Sequence, residues 1–198
     1  MKWIGLTGGI ASGKSTVSQR LRELDFQLVD ADEIARGVVQ KGSPGLKSVL
    51  EKFGHELLDP EGHLNRRKLA QYVFDDPFKK LELEAILHPL IRAEVKRQRE
   101  VLASQGHSLA IYDMPLLVES QAQAQFDKVV VVTCTLEQQK QRLRSRNQWT
   151  DKEIEGRLQA QVPLKEKEKY ADFIVRNDKD RAHLETEILR LTKWLKSL

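Results

Sequence analysis

The sequence predicts an α/β protein built on a parallel five-stranded sheet with a helical insertion, and three observations carry that expectation. A short apolar strand near the amino end runs into Gly8-Gly9-Ile10-Ala11-Ser12-Gly13-Lys14-Ser15-Thr16, which fits G-x-x-x-x-G-K-[ST] and opens a helix. Lys128 to Thr133 is an uninterrupted β-branched run, as expected of a strand buried on both faces of a parallel sheet. From Ile34 to about Gly106, strand signals disappear and helical patterns separated by Gly and Pro take over.

Taken in order, the first strand is Trp3 to Thr7, and the helix after the glycine-rich loop carries Val17, Leu21 and Leu24 on one face. Backbone N–H groups at the positive end of a helix can wrap a polyphosphate only if side chains do not obstruct them. Glycine removes the obstruction and permits the φ values such a loop needs. Lys14 is then expected to reach the β- and γ-phosphates, and the Ser15 hydroxyl to ligate Mg²⁺. A dinucleotide fingerprint is excluded, because G-x-G-x-x-G cannot be laid over Gly8, Gly9 and Gly13. The loop is read as a nucleoside triphosphate site.

Phe26 to Val29 reads as a second strand ending in Asp30-Ala31-Asp32, where α/β sheets place their ligands. One of these aspartates is expected to cap the helix that starts near Glu33. In the insertion, Leu46, Val49, Leu50 and Phe53 form one apolar face, Leu69, Val73 and Phe74 a second, and Phe78, Leu81, Ala85 and Ile86 begin a third. Asp75-Asp76-Pro77 separates the last two. Arg66, Arg67, Lys68, His88, Arg92, Lys96, Arg97 and Arg99 make this region cationic enough to grip an anionic second substrate, although most suit solvated helix faces. Pro89 is expected to interrupt a helix and hold the His88 imidazole at a junction.

Ser108 to Tyr112 is the third strand and ends at Asp113, which suits a turn or a carboxylate that holds a metal-bound water. After the fourth strand, Glu137 to Arg146 and Asp151 to Gln161 form a charged helical hairpin with Lys140, Arg142, Arg144, Arg146 and Arg157. In a fold of this kind such a hairpin is where a lid belongs, excluding water and bringing Arg to the transferred phosphoryl group; a solvated charged hairpin is the plainer alternative. Phe173 to Val175 is the fifth strand, and Leu184, Ile188, Leu191 and Leu195 mark a closing amphipathic helix.

Composition adds bounds. A chain of 198 residues, 40% hydrophobic and 31% charged, has room for one α/β domain with insertions. A net charge of +4, from 33 Lys and Arg against 29 Asp and Glu, is too small to argue for nucleic acid but suits phosphorylated anions. The single cysteine, Cys134, excludes an internal disulfide or a Cys-based zinc site; it is read as a buried strand thiol in a reducing cytoplasm. No signal peptide and no run of about 18 apolar residues is visible, so a soluble cytoplasmic protein is expected.

The assembled segments resemble the dephospho-CoA kinases of the phosphate-loop kinase superfamily. The resemblance is carried by Ile4 to Ile10 with Ser12 to Thr16, by Asp30-Ala31-Asp32 with Ala35-Arg36, by Arg66 and Leu69, and by His88-Pro89-Leu90-Ile91. It continues through Pro115-Leu116-Leu117-Val118-Glu119, Gln139, Arg142, Arg146, Ala171-Asp172 and Asn177, spanning about residues 4 to 177. It implies a three-layer α/β/α phosphate-loop kinase fold with a helical acceptor-binding insertion and a helical lid. The implied parts are a nucleotide-binding core (1–33, 107–136 and 162–198), a helical acceptor domain (34–106) and a lid (137–161). The implied reaction is ATP-dependent phosphorylation of the ribose 3′-hydroxyl of dephospho-CoA, the last step of coenzyme A synthesis.

By the same resemblance Asp32 is the general base and Lys14, Arg142 and Arg146 complete the catalytic set. Gly8, Gly9, Ala11, Ser12, Gly13, Lys14, Ser15, Thr16, Arg142 and Asn177 bind the nucleotide; Asp32, Arg66, His88 and Arg92 bind the acceptor; Ser15 holds Mg²⁺. ATP and dephospho-CoA are the implied partners, with no nucleic acid, membrane or obligate protein partner. Ala11 and Lys179 depart from the family, which commonly has glycine at both positions.

Another nucleoside or nucleotide-like acceptor is the alternative within the kinases. A regulatory GTPase is disfavoured, since Met114-Pro115-Leu116 follows the third strand in place of Asp-x-x-Gly, and Asn177-Asp178-Lys179-Asp180 is not Asn-Lys-x-Asp. A nucleic-acid motor is disfavoured because the cations cluster in a hairpin and not along a stripe.

Overall fold

A computed structural model describes residues 1–74 and 76–198; Asp75, part of the expected break in the insertion, lies outside the described residues, as does the side chain of Phe74. The sheet contains β1 (Lys2–Gly8), β2 (Leu28–Asp30), β3 (Leu109–Asp113), β4 (Lys128–Thr133) and β5 (Phe173–Arg176) in the order β2-β3-β1-β4-β5. β1 pairs in parallel with β3 and β4, and β4 in parallel with β5. The expected five-stranded α/β architecture is what forms.

The helices are α1 (Lys14–Glu23), α2 (Ala31–Gly37), α3 (Pro44–Phe53), α4 (Arg66–Phe74), α5 (Pro77–Ser104), α6 (Leu136–Asn147), α7 (Asp151–Gln159), α8 (Leu164–Lys167) and α9 (Arg181–Lys196). They divide between two compact units, Met1–Val29 with Leu102–Leu198, and Asp30–Val101.

In the first unit, alternation along the strands feeds both faces of the sheet. Ile4, Leu6, Val130 and Val132 pack with Val17 and Leu21 of α1 and Leu184, Ile188, Leu191 and Leu195 of α9. On the opposite face Val129 and Val131 pack with Leu117, Val118, Ala122 and Phe126. The rings of Trp3, Tyr112 and Phe126 stack there at 5.6 to 6.5 Å between centroids. Gly5 is what admits them: a Cβ would meet Leu117 Cδ1 at 2.5 Å and Phe126 Cγ at 3.0 Å.

The second unit is helical, around Leu46, Val49, Leu50 and Phe53 of α3 with Val39, Leu57, Leu64 and Leu69. One expectation fails in it and another holds only in part. Of the expected third face Ile86 lies inward, but Phe78, Leu81 and Ala85 are exposed, and Leu83 and Leu87 join Ile86 on the inward side of α5. Pro89 does not break the helix, because α5 continues through it to Ser104. The ring removes one hydrogen bond, and the 28-residue helix has enough others to run on.

Cys134 lies one residue past β4 and is half-buried, not within the strand. Its Sγ is 3.9 Å from the Ala11 carbonyl oxygen, and burial pushes the thiol above its usual range.

Candidate active site

β1 ends at Gly8 in the middle of the sheet, and the next five residues turn tightly before α1 begins. Gly8 turns against its own loop: a Cβ there would meet Ser12 Oγ at 2.6 Å and Val132 O at 2.8 Å. Gly13 precedes α1 in a left-handed conformation, φ 95°, and a Cβ would meet Asn177 Nδ2 at 2.1 Å. Ala11 adopts φ 58°, so its methyl sits in a backbone region that costs most residues about 1 kcal/mol.

α1 begins with no side-chain cap and no acidic residue in its first turn. Amide groups that most helices satisfy with a capping side chain are therefore left for an anion, where the helix dipole also favours negative charge. Among the described residues the buried Ser12 hydroxyl has no hydrogen-bond partner either.

Side chains from three other elements brace this loop. Arg142 of α6 donates from one guanidinium nitrogen to Ala11 O (3.1 Å) and Ser12 O (3.3 Å), and from the other to Asn177 O (2.9 Å). Asn177, just past β5, donates to Ser12 O at 2.8 Å. Gln139 of α6 donates to Ile10 O at 2.6 Å, and Gln161, past α7, accepts from Ile10 N–H at 2.8 Å. The backbone of Ile10 is thus held on both sides from the two roots of the α6–α7 hairpin. Lys14 donates to Asp113, which stands beside Leu6 at the end of β3 and also accepts from Ser18 on α1.

The hairpin itself is tied by charge, Arg144 to Asp151 at 2.7 Å and Lys140 to Glu155 at 3.7 Å, and by Arg157 over the Trp149 ring at 3.9 Å. Arg146 is exposed on it and donates to Asn147 at 2.9 Å. Ser15 and Thr16 are exposed in the first turn of α1, with Thr16 N–H bonded to Gly13 O at 3.0 Å.

The remaining candidates belong to the helical unit. Asp30 caps α2, its carboxylate accepting from Asp32 N–H (2.8 Å) and Glu33 N–H (3.0 Å). Asp32 is exposed in the first turn. Arg66, at the start of α4, donates to Arg36 O at 3.2 Å. His88 and Arg92 are exposed on α5 and stand four residues apart, hence on one face.

A model of the dephospho-CoA kinase (CoaE) family matches residues 2–183 of the chain. The chain belongs to the dephospho-CoA kinase family. It is 57% identical over 198 residues to the dephospho-CoA kinase of Bdellovibrio bacteriovorus, covering 100% of this chain and 98% of that one. It is 45% identical over 192 residues to that of Bacillus anthracis, covering 96% of each. The structure of a dephospho-CoA kinase from Campylobacter jejuni superimposes with a TM-score of 0.75 at 29% identity, covering 98% of this chain and 96% of that one. The chain is therefore an ATP-dependent kinase.

The donor set suits the Mg²⁺ that such kinases use. Among the described residues no group of three or more His, Cys, Asp or Glu side chains could hold a metal. Mg²⁺ needs none, since it is commonly held by one or two hard protein oxygens with phosphates and water, and the Ser15 hydroxyl and Asp113 carboxylate are oxygens of that kind beside the loop. Among the described residues no helix is long and apolar enough to cross a membrane.

Sequence reasoning missed the bond of Gln161 to Ile10, and it missed the ion pair of Lys167 with Glu119 at 2.8 Å, in which the Lys167 ammonium also donates to Gly8 O at 3.2 Å. Lys165, Lys167 and Lys169 alternate with glutamates in one charged run. The one available signal was spacing: Lys167 stands three residues after Leu164, so both fall on the inward face of α8.

Proposed function

We propose that this chain transfers the γ-phosphoryl group of ATP to the ribose 3′-hydroxyl of dephospho-CoA, giving coenzyme A and ADP. The observation that carries the reading is the family match over residues 2–183, which takes in the helical insertion as well as the phosphate loop. In this reading residues 34–106 form the acceptor domain and 137–161 the lid. Its partners are the two small-molecule substrates, and a single cysteine fits a cytoplasmic setting.

Phosphoryl transfer asks little covalent chemistry of a protein and much positioning and charge neutralisation. Gly8, Gly9, Ala11, Ser12, Gly13 and Thr16 belong to the turn that wraps the phosphates, with the amides at the start of α1 facing them. Lys14 exchanges its contact with Asp113 for the β- and γ-phosphates. The Ser15 hydroxyl would hold Mg²⁺, which would supply charge neutralisation when bound. Arg142 fixes the loop through Ala11 and Ser12, and Asn177 closes the adenine side. Arg146 brings charge to the phosphates from the lid.

Asp32 accepts the proton of the 3′-hydroxyl as its oxygen forms the new P–O bond and the bond to the β-phosphate oxygen breaks. Support for this assignment comes from Asp30, which does the capping and leaves Asp32 without that duty. Arg66, His88 and Arg92 supply cationic and hydrogen-bonding groups for the acceptor.

The test is a comparison of acceptors. Purified protein with ATP and Mg²⁺ should consume dephospho-CoA faster than adenosine or AMP. Equal or slower turnover of dephospho-CoA overturns the assignment in favour of another nucleoside-like acceptor.

A further inference from the structure

Lys167 on α8 has no surface at all, and its ammonium meets three oxygens: Glu119 Oε1 at 2.8 Å, Gly8 O at 3.2 Å and Pro115 O at 3.2 Å. An ammonium has three N–H donors, so each has an acceptor. Glu119 Oε1 also accepts from Val162 N–H at 3.0 Å, while its Oε2 is buried with no partner among the described residues. Pro115 O also accepts from Thr7 Oγ1 at 3.0 Å. One buried charge thus gathers the end of β1, the segment after β3 and the exit of the α6–α7 hairpin.

A buried ion pair is a poor source of stability, because the cost of desolvating two charges consumes most of their attraction. What this one supplies is direction. The Gly8 carbonyl is the last backbone acceptor before the phosphate loop turns, and the loop turns so closely on Gly8 that Ser12 Oγ would lie 2.6 Å from a Cβ there. Rotating that peptide moves the Gly8–Gly9 plane and every amide that follows.

We propose that Lys167, oriented by Glu119, is a positioning residue that sets the pitch of the phosphate loop and thereby the fit of ATP. It acts through Gly8 and does not touch the reacting atoms. The inference rests on the reading that the loop holds ATP.

The test uses the full chain and compares Lys167→Met with the double variant Lys167→Met/Glu119→Gln, each assayed well below its own Tm. Lys167→Met strands the Glu119 carboxylate and should lower Tm, raise KM for ATP at least tenfold and lower kcat, with KM for dephospho-CoA within twofold. The double variant removes the stranded charge, so Tm should recover while KM for ATP stays high. A merely structural pair would restore both together, and that result overturns the inference. So does a Lys167→Met variant with wild-type KM for ATP, or one in which the two KM values rise alike. If the single variant does not fold, the double variant and Glu119→Gln alone carry the same comparison. A wild-type chain that transfers nothing from ATP overturns the functional reading instead, and the two failures are thereby distinct.

Discussion

The Lys14 ammonium donates to one oxygen of the Asp113 carboxylate, and the Ser18 hydroxyl donates to the other. Asp113 is 2% exposed and Lys14 15%, so the pair closes the floor of the phosphate loop. On the proposed reading a triphosphate would draw Lys14 away from this carboxylate, and their separation would be part of nucleotide binding.

Lys14→Met should therefore cut phosphoryl transfer by at least about a thousandfold, or ~4 kcal/mol of transition-state stabilisation. Asp113→Asn should reduce kcat by about tenfold or more and raise the Mg²⁺ concentration needed for half the maximal rate. A coupled assay with Mg²⁺ titrated at fixed ATP checks both. An unchanged Mg²⁺ requirement in Asp113→Asn would limit its role to orienting Lys14.

The two neighbouring aspartates should separate cleanly. Asp30 caps α2 and Asp32 does not. Asp30→Ala is expected to cost about 1 kcal/mol of stability as a lost helix cap. Asp32→Asn should leave Tm near wild type and KM for ATP within a few-fold, while kcat falls by about 10² or more, as for a lost general base. Thermal denaturation beside steady-state kinetics reads the contrast, and a full-rate Asp32→Asn variant would move the base elsewhere.

Gly13→Ala is expected to be severe. The residue has φ 95°, and the added Cβ would meet Asn177 Nδ2 at 2.1 Å, so either the loop or Asn177 must move. Displacing Asn177 also costs its bond to Ser12 O. Nucleotide titration should show affinity reduced by about tenfold or more, in line with the 1–3 kcal/mol that backbone strain of this kind carries.

Asp172 makes an acid-dependent contribution to stability. Burial works against its charge, but the Lys128 ammonium at 2.7 Å and Val129 N–H at 2.8 Å outweigh burial and hold the carboxyl below its usual range. A depressed folded-state pKa means that this stability is present above the unfolded value, about 3.9, and is lost as pH falls through the folded one. Asp172→Asn should therefore cost about 1 kcal/mol or less at neutral pH, since the pair is partly exposed. Urea unfolding at pH 7 and pH 3 should show the gap between wild type and variant narrowing in acid.

Much of the core was legible because its patterns are local. The Lys128–Thr133 strand follows from its continuous β-branched run, the α3 face of Leu46, Val49, Leu50 and Phe53 and the α9 face of Leu184, Ile188, Leu191 and Leu195 follow from periodicity, and all are found. α5 misled because its apolar residues admit two overlapping frames that share Ile86, and only packing chooses Leu83 and Leu87 over Phe78 and Leu81. The phosphate loop was legible from its motif, but its supports were not. Gln161 reaches Ile10 across 151 positions of sequence and Lys167 reaches Gly8 across 159, and no spacing rule relates residues so far apart.

β1 is flanked by β3 and β4, whereas the sheet's edges are the short β2 and β5, of three and four residues. Fraying at either edge leaves the β1 ladder intact, so the amides of Ile4 to Gly8 should exchange with deuterium only through opening of the whole sheet. Each cycle of nucleotide arrival and departure then takes place on a support that does not loosen with it. The strand expected to exchange slowest thus meets the phosphate loop at a single peptide, after Gly8.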